Sequence, residues 1–352
     1  MTANYTDESL AVIVGVGART PLGFYAAATA AAAWAGVSMQ REHAFMVDLA
    51  GDAMIVAADP ELPADADWVV RAERLAQQPA LEALQPLLMP RGFMPRVHAL
   101  IGLPEPRPGL PDDYVPQFGR AFQRSLRPQI QFDSVSYLPS GHASGLAGFG
   151  QALSLLSSRA CDACLVGGLD SYLVPETLEW LDETEQLHSA RTIWGFCPGE
   201  GAAFCAVTTL AFATHCGLLP LLAVPAAGTG TELNRIGTDS VCVGEGLTTA
   251  LQGALQGATD CAVGYSICDM NGEPYRGDEF GFALLRCRRW FEDSAPFVTP
   301  ADRWGDQGAA SGPLFAVLAA CVADKVYCPA DSSLLWASSV GGLRAAVLLR
   351  TL

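Results

Sequence analysis

The stretch SGHASGLAGFGQALSLL (residues 140–156) decides the fold class. Its small residues and apolar spacing predict a closely packed helix, and CLVGGLDSYL (164–173) predicts a buried strand after it. Both features return near the end of the chain. AASGPLFAVLAACV (309–322) again places Ala-Ser-Gly at a helix start, and WASSVGGLRAAVLL (336–349) repeats Val-Gly-Gly-Leu, which we expect at a strand end. The sequence therefore indicates an internal duplication.

Two further pairs of segments extend the duplication. AVIVGVGARTPLG (11–23) resembles LLAVPAAGTGT (221–231), and HALIGLP (98–104) resembles CAVGYSICD (261–269). The order strand, helix, strand, helix, strand thus occurs twice. Apolar strands of this kind need helices on both faces of their sheet. The sequence predicts an α/β fold in which two similar sheets alternate with helix layers, a five-layered αβαβα sandwich.

This duplication divides the 352-residue chain into two predicted halves. The first covers residues 1–212, with an insertion at about 40–130, and the second covers 213–352.

Composition excludes several classes of partner. Half of the residues are hydrophobic and the formal net charge is −16, so the surface is unsuited to nucleic acid or to an anionic membrane. No uncharged apolar run reaches the ~18 residues of a membrane span, and the acidic N-terminus lacks the order of a signal peptide. We expect a cytoplasmic protein.

The eleven cysteines are scattered through apolar segments, which predicts reduced, buried thiols rather than a disulfide framework. Cys161 and Cys164 have redox or zinc spacing, but no second pair accompanies them, so core packing is the favoured interpretation. GVGARTPLG (15–23) has Thr20 where a dinucleotide fingerprint needs its third glycine. We expect no cofactor and no metal.

The order and spacing of several motifs resemble the β-ketoacyl synthases of the thiolase-like superfamily. These motifs are GVGARTPLG (15–23), AWAGVS (33–38), SGHASGLAGFGQALSLLSSRACDACLVGGLDS (140–171) and GFCPGEGAAFCAV (195–207). The resemblance covers nearly the whole chain and implies the five-layered fold. It also implies an active-site cysteine at the start of the buried helix, where the helix dipole would lower the thiol's pKa.

The resemblance places His142 where the family has that cysteine. The two histidines that complete the family site fall at Asp269 and Asp306, although an alternative alignment of AAGTGTELN (226–234) would move the first of them to Ala227. The family's lysine is also missing, and Arg303 is a possible substitute for it. The resemblance therefore implies that condensation chemistry is lost.

The remaining frame of the pocket follows from the same resemblance. Glu200 belongs to the retained Gly-Glu-Gly, but without the lysine its partner is undetermined. The glycine turn that gates the family's acyl pocket survives as Val340-Gly341-Gly342, without its phenylalanine. The other expected pocket-frame residues are Ser140, Gly141 and Ser144.

Two classes of function compete. In the favoured one, the protein is a non-catalytic synthase-like adaptor, similar to chain-length-factor partners of active synthases or to accessory proteins of bacterial secretion-system effectors. Its partner would be a synthase subunit, an acyl carrier or a secreted effector. In the alternative, His142 with Asp269 and Asp306 serves an acyltransferase or thioester hydrolase, or holds a divalent metal. We also expect a homodimer, because QFDSVSYL (131–138) resembles the strand that pairs across the family's twofold axis.

Overall fold

The computed structural model describes residues 8–88, 94–127, 129–236, 238, 240–258, 262–291, 296–323 and 329–352. Residues 1–7 of the acidic N-terminus and Cys261, the first residue of the predicted 261–269 repeat, lie outside the described residues.

Twelve strands are described along the chain. They are β1 (Ala11–Arg19), β2 (Arg41–Val47), β3 (Ala53–Val56), β4 (Val97–Leu103), β5 (Ser134–Pro139), β6 (Ala163–Ser171), β7 (Glu200–Thr209), β8 (Leu222–Thr231), β9 (Tyr265–Cys268), β10 (Phe297–Val298), β11 (Ser332–Ser338) and β12 (Leu343–Arg350).

Ten α-helices are described between these strands. They are α1 (Ala26–Trp34), α2 (Trp68–Leu88), α3 (Tyr114–Leu126), α4 (Ser144–Ser157), α5 (Pro175–Glu183), α6 (Leu210–His215), α7 (Glu245–Ala254), α8 (Pro274–Cys287), α9 (Ala301–Trp304) and α10 (Ser311–Val322). Short 3₁₀ turns lie directly before α4 (Gly141–Ala143) and before α10 (Gly308–Ala310).

The strand order demonstrates the duplication. From the middle outward, one half of the sheet runs β1-β7-β6-β4-β5 and the other runs β8-β12-β11-β9-β10. The two innermost pairings of each half are antiparallel and the two outermost are parallel. The halves meet where β1 and β8 pair antiparallel, with Ala11 opposite Val224 and Ile13 opposite Leu222. The predicted equivalences of β1 with β8 and of β4 with β9 are thus present.

The helices form three layers around the two halves of the sheet, which gives the predicted five-layered αβαβα sandwich. Helices α4 and α10 lie in the middle, contacting strands of both halves and each other. Helices α2 and α3 cover the outer face of the first half, and α7 and α8 cover that of the second. Because both faces of the sheet are covered, β6 is buried along its whole length. The division of the chain at residue 212 stays a prediction.

The two Val-Gly-Gly-Leu segments occupy different places, which corrects one detail of the predicted repeat. The first lies inside β6, where a Cβ on Gly168 would stand 2.2 Å from the carbonyl oxygen of Ala309. The second, at 340–343, forms the turn between β11 and β12, where Gly342 has a φ of +109°. Close packing requires glycine in the first case, and backbone conformation favours it in the second. The two Val-Gly-Gly-Leu segments therefore do not occupy equivalent positions in the two halves.

Six of the nine described cysteines are buried, as expected for reduced core thiols. Within the described residues, every helix is too short or too polar to span a bilayer.

Candidate functional site

The imidazole of His142 stands at the entrance to the central helix α4. It belongs to the 3₁₀ turn Gly141–Ala143, and the residue is only 5% exposed. Gly141 has a φ of +70°, and a Cβ there would lie 3.3 Å from the side chain of Glu105. Glycine therefore allows the chain to turn sharply between β5 and α4, and this turn buries the next side chain.

Asp306 holds the His142 imidazole. Nε2 of His142 lies 2.8 Å and 3.0 Å from the two carboxylate oxygens. The same carboxylate accepts hydrogen bonds from the backbone N–H of Gly308 at 2.7 Å and from Nδ2 of Asn271 at 2.6 Å. Asp306 thus binds the first backbone N–H of the 3₁₀ turn that leads into α10 and presents its charge to a residue just before α4. The structure brings these two predicted site residues together.

The pKa values of this pair move apart. Burial alone would lower the pKa of His142, but the charge of Asp306 outweighs it and raises the pKa above its ordinary 6.5. Burial would raise the pKa of Asp306, yet the charge and hydrogen bond of His142 lower it well below its ordinary 3.8. These shifts favour an imidazolium paired with a carboxylate.

Asp269, the third predicted residue, pairs with a different cation. It follows β9, and its Oδ2 accepts hydrogen bonds from Nη1 of Arg276 and from the backbone N–H of Ser338, both at 2.7 Å. Arg276 comes from the first turn of α8 and is 1% exposed. Its guanidinium also donates to Glu273, which shares Asn271 with Asp306. Asp269 and His142 are therefore joined only through a chain of hydrogen bonds.

This arrangement does not suit a metal held by the three predicted residues. Among the described side chains, the ligand atoms of His142, Asp269 and Asp306 do not lie within 4.8 Å of one another as a set. Oδ2 of Asp269 already pairs with a guanidinium, although its Oδ1 is buried without a hydrogen-bond partner, and both oxygens of Asp306 already lie against an imidazole. The alternative position Ala227 lies in the middle of β8, opposite Val347, and packs against the central core.

Glu200 has a partner that the sequence did not reveal. Nη1 of Arg71, in α2, lies 3.1 Å and 2.9 Å from the two carboxylate oxygens. Ser171 and the backbone N–H of Asp59 donate to the same carboxylate. Burial raises the pKa of Glu200 despite the charge of Arg71.

The suggested lysine substitute, Arg303, is placed elsewhere. It lies at the surface with 37% of its side chain exposed and pairs with its neighbour Asp302. No local pattern could have singled out Arg71, because it stands 129 residues from Glu200 in the part of the chain where the resemblance is weak.

A cavity of about 150 Å³ lies beside His142, and its walls are mostly apolar. Nonpolar surface comes from Tyr172, Trp180, Leu181, Phe196 and Val340, and the charged lining residues are Glu105, Arg107, Asp170, Glu273 and Arg276. Among the described lining residues there is no cysteine, serine or threonine.

The turn Val340–Gly342, expected from the resemblance to gate the pocket, contacts Glu105 at the cavity. The backbone N–H of Gly341 donates to Oε1 of Glu105 at 2.8 Å, and Gly342 forms the bend of the turn. A Cβ on Gly341 would stand 2.2 Å from that carboxylate oxygen, so a larger residue here would displace the Glu105 side chain from this hydrogen bond.

Ser144 of the pocket frame forms a side-chain hydrogen bond to the backbone. Oγ of Ser144 donates to the carbonyl oxygen of Gly141 at 2.5 Å, and the side chain packs beside Gly102 of β4. Ser140 is half-buried next to the turn. A serine that sequence analysis missed, Ser339, accepts the backbone N–H of Ala143 at 2.9 Å and so connects the gating turn to α4.

Comparison with known proteins assigns this architecture. No protein-family model matches the chain, and no curated protein matches it either. Solved structures do. A type II PKS acyl-carrier protein in complex with its ketosynthase bound to the hexaketide gives a TM-score of 0.80 at 14% identity, covering 97% of this chain and 99% of that chain. The chain has the fold of the β-ketoacyl synthases.

Two further structures agree with this β-ketoacyl synthase fold. The ishigamide ketosynthase/chain length factor has a TM-score of 0.79 at 16% identity and covers 97% of this chain and 99% of that chain. The ketosynthase from module 6 of the bacillaene synthase from Bacillus subtilis 168 has a TM-score of 0.73 at 13% identity, covering 97% of this chain and 72% of that chain. The resemblance seen in the sequence motifs is confirmed at the level of the fold.

Proposed function

We propose that this protein is a non-catalytic β-ketoacyl synthase-like protein that acts by binding another protein. One observation carries the proposal: the side chain at the start of α4 is His142, and it is locked to Asp306 by a buried ion pair. A condensing reaction needs a nucleophile there that can carry an acyl group as a thioester. The described cavity lining offers no thiol or aliphatic hydroxyl.

The charges around the cavity support the same conclusion. Decarboxylation would build negative charge on a thioester oxygen, which hydrogen-bond donors must stabilise. The residues at the positions that the resemblance gives to the family's histidines, Asp269 and Asp306, are acceptors instead, and the cations beside them, Arg276 and His142, are already paired with them. The network around Arg276 therefore stabilises the protein's own carboxylates and does not serve an incoming anion.

The partner we propose is a synthase subunit, an acyl carrier or a second copy of this chain, and a secreted effector is a further candidate. The solved structures of similar fold include a ketosynthase in complex with an acyl-carrier protein and a ketosynthase/chain length factor. In this chain, β5 lies at the edge of the sheet and pairs on one side with β4. An edge strand offers unpaired backbone groups to another chain. The edge strand β5 is thus the surface on which we expect dimerisation.

Two measurements test the proposal. Purified protein incubated with acyl and malonyl thioesters should release neither free thiol nor CO₂ above a no-protein control. Light scattering should give twice the 37.1 kDa chain mass, or that of a stoichiometric complex with a candidate partner encoded nearby. Thioester turnover, or a monomer that binds none of the candidates, would contradict the proposal.

A second function is favoured by one specific feature, the orientation of His142. Because Asp306 engages Nε2, Nδ1 remains as the second ring nitrogen beside an apolar cavity. A histidine oriented by a carboxylate is the usual general base of hydrolases, and His142 could take this role once its imidazolium has lost a proton. Thioester hydrolysis that disappears in His142→Ala, and persists in the surface variant His188→Ala, would replace the binding role with this one.

A further inference from the structure

We propose that Cys161 and Cys164 are an oxidation site, at which a peroxide converts two neighbouring thiols into a disulfide. The two Sγ atoms lie 3.5 Å apart, although the two cysteines belong to different elements of the fold. Cys161 ends the turn after α4, and Cys164 is the second residue of β6. A disulfide needs an S–S distance of about 2.05 Å, so side-chain rotation has to close only about 1.5 Å.

The turn that brings the sulfurs together is held from outside. The carbonyl oxygen of Arg96 accepts the backbone N–H groups of Asp162 and Ala163, at 3.0 Å and 3.2 Å. The backbone N–H and guanidinium of Arg96 in turn donate to the Asp162 carboxylate. A fully extended segment would hold Cα atoms three residues apart at roughly 10 Å. Arg96 therefore fixes a bent conformation that keeps the two thiols close.

The two cysteines differ in access and in acidity. Cys161 lies on the wall of an open surface depression of about 810 Å³ that also includes Arg96 and Arg159, whereas Cys164 is completely buried. The hydrogen bond from Cys164 lowers the pKa of the Cys161 thiol, and the same contact together with burial raises the pKa of Cys164. The outer sulfur is thus the better nucleophile, and the inner one is protected from solvent.

The reaction balances with hydrogen peroxide as the oxidant. The Cys161 thiolate attacks one peroxide oxygen, the O–O bond breaks, and hydroxide leaves with a sulfenic acid on Cys161. The Cys164 sulfur then attacks the Cys161 sulfur, forming the S–S bond and displacing the sulfenic oxygen, which leaves as water after protonation. Two thiols lose two electrons and two protons, and one peroxide becomes two waters. A small oxidant is required because Cys161 is only 4% exposed.

The test uses the whole protein treated with hydrogen peroxide and then with iodoacetamide in denaturant. Trypsin cuts after Arg159 and Arg191, so peptide 160–191 carries Cys161 and Cys164 and no other cysteine. We expect this peptide to lose two hydrogens and to resist alkylation until dithiothreitol is added. The free-thiol count of the protein should fall by two relative to the untreated protein.

Variants assign the two roles. In Cys164→Ser, oxidation should stop at a sulfenic acid on Cys161 that dimedone labels, and in Cys161→Ser neither disulfide nor label should form in this peptide. Cys216→Ser, next in sequence to His215 of the same surface depression, is the matched control and should behave like the wild type. The proposal is overturned if the wild-type peptide stays fully alkylated or if Cys161→Ser still loses both thiols. Because the pair lies at the far end of α4 from His142, either outcome is independent of the proposed binding function.

Discussion

Replacing Asp306 by asparagine is the sharpest test of how the pocket is held. The carboxylate accepts from His142, Asn271 and Gly308, and both of its oxygens are used. Asparagine has one acceptor oxygen, so its NH₂ group must face at least one of these donors. The substitution keeps the size of the side chain, removes its charge and leaves the His142 imidazolium without a counter-ion.

The expected loss of stability is large because the pair is buried. The two side chains are 7% and 2% exposed. Removing one partner of a buried ion pair costs about 3–5 kcal/mol, since the other charge is left uncompensated. Asp302→Asn is the matched control, because its carboxylate is 51% exposed and pairs with the 37% exposed Arg303. An exposed pair of this kind contributes no more than about 1 kcal/mol.

The pH dependence follows from the two opposite pKa shifts. The raised pKa of His142 gives stability that is complete below its ordinary 6.5 and is lost as pH rises through the folded-state value. The lowered pKa of Asp306 gives stability that is present above its ordinary 3.8 and is lost as pH falls through the folded-state value. The deficit of Asp306→Asn should therefore be greatest between pH 3.8 and 6.5 and should shrink in alkaline buffer.

Urea denaturation followed by tryptophan fluorescence measures this difference, and Trp304, which is 1% exposed, lies two residues from the substitution. Wild type, Asp306→Asn and Asp302→Asn are compared at one protein concentration and at several pH values. An Asp306→Asn midpoint that matches the Asp302→Asn control, or a deficit that grows in alkaline buffer, would refute the ion-pair account.

Two further substitutions probe the frame of the pocket. Glu200→Gln should lower the free energy of unfolding by roughly 3–5 kcal/mol, because it leaves the buried Arg71 guanidinium without a counter-ion. A loss below about 1 kcal/mol in urea titration would contradict this. Gly141→Ala and Gly217→Ala both place alanine at a positive φ, at a cost of about 1–2 kcal/mol, but a Cβ on Gly141 would also press on Glu105 whereas Gly217 is open. Equal melting temperatures for the two glycine variants would count against the contact with Glu105.

Much of the fold could be predicted because its signals are local. The glycine-rich strand β1 and its counterpart β8, and the small-residue helices α4 and α10, each carry a recognisable composition, and the strand order places each pair at equivalent positions. The Val-Gly-Gly-Leu equivalence failed for a physical reason. Inside β6 glycine is required by close packing, whereas in the β11–β12 turn it is favoured by a positive φ. The same four-residue sequence cannot tell these two roles apart.

The site was less accessible to sequence reasoning because its charges are neutralised across the fold. His142 and Asp306 came from the family resemblance, and the structure places them in contact across 164 positions. Arg71 pairs with Glu200, but no sequence motif near either residue predicts this pairing. Arg276 did leave a signal, since it follows Asp269 by seven residues in the first turn of the next helix. An acid at a strand end facing an arginine in the following helix is a pattern that could have identified it.

The two ends of the ten-stranded sheet differ in length, and this limits how copies can assemble. One terminal strand, β5, offers six residues, whereas the opposite terminal strand, β10, has two, Phe297–Val298. A hydrogen-bonded ladder needs several consecutive residues to gain stability, so only the longer rim provides a usable template. Pairing of two copies along β5, as proposed, would leave the two-residue β10 as the outward end of each copy's ten-stranded sheet. Among the described residues, this sheet would then have no long terminal strand left on which further copies could add.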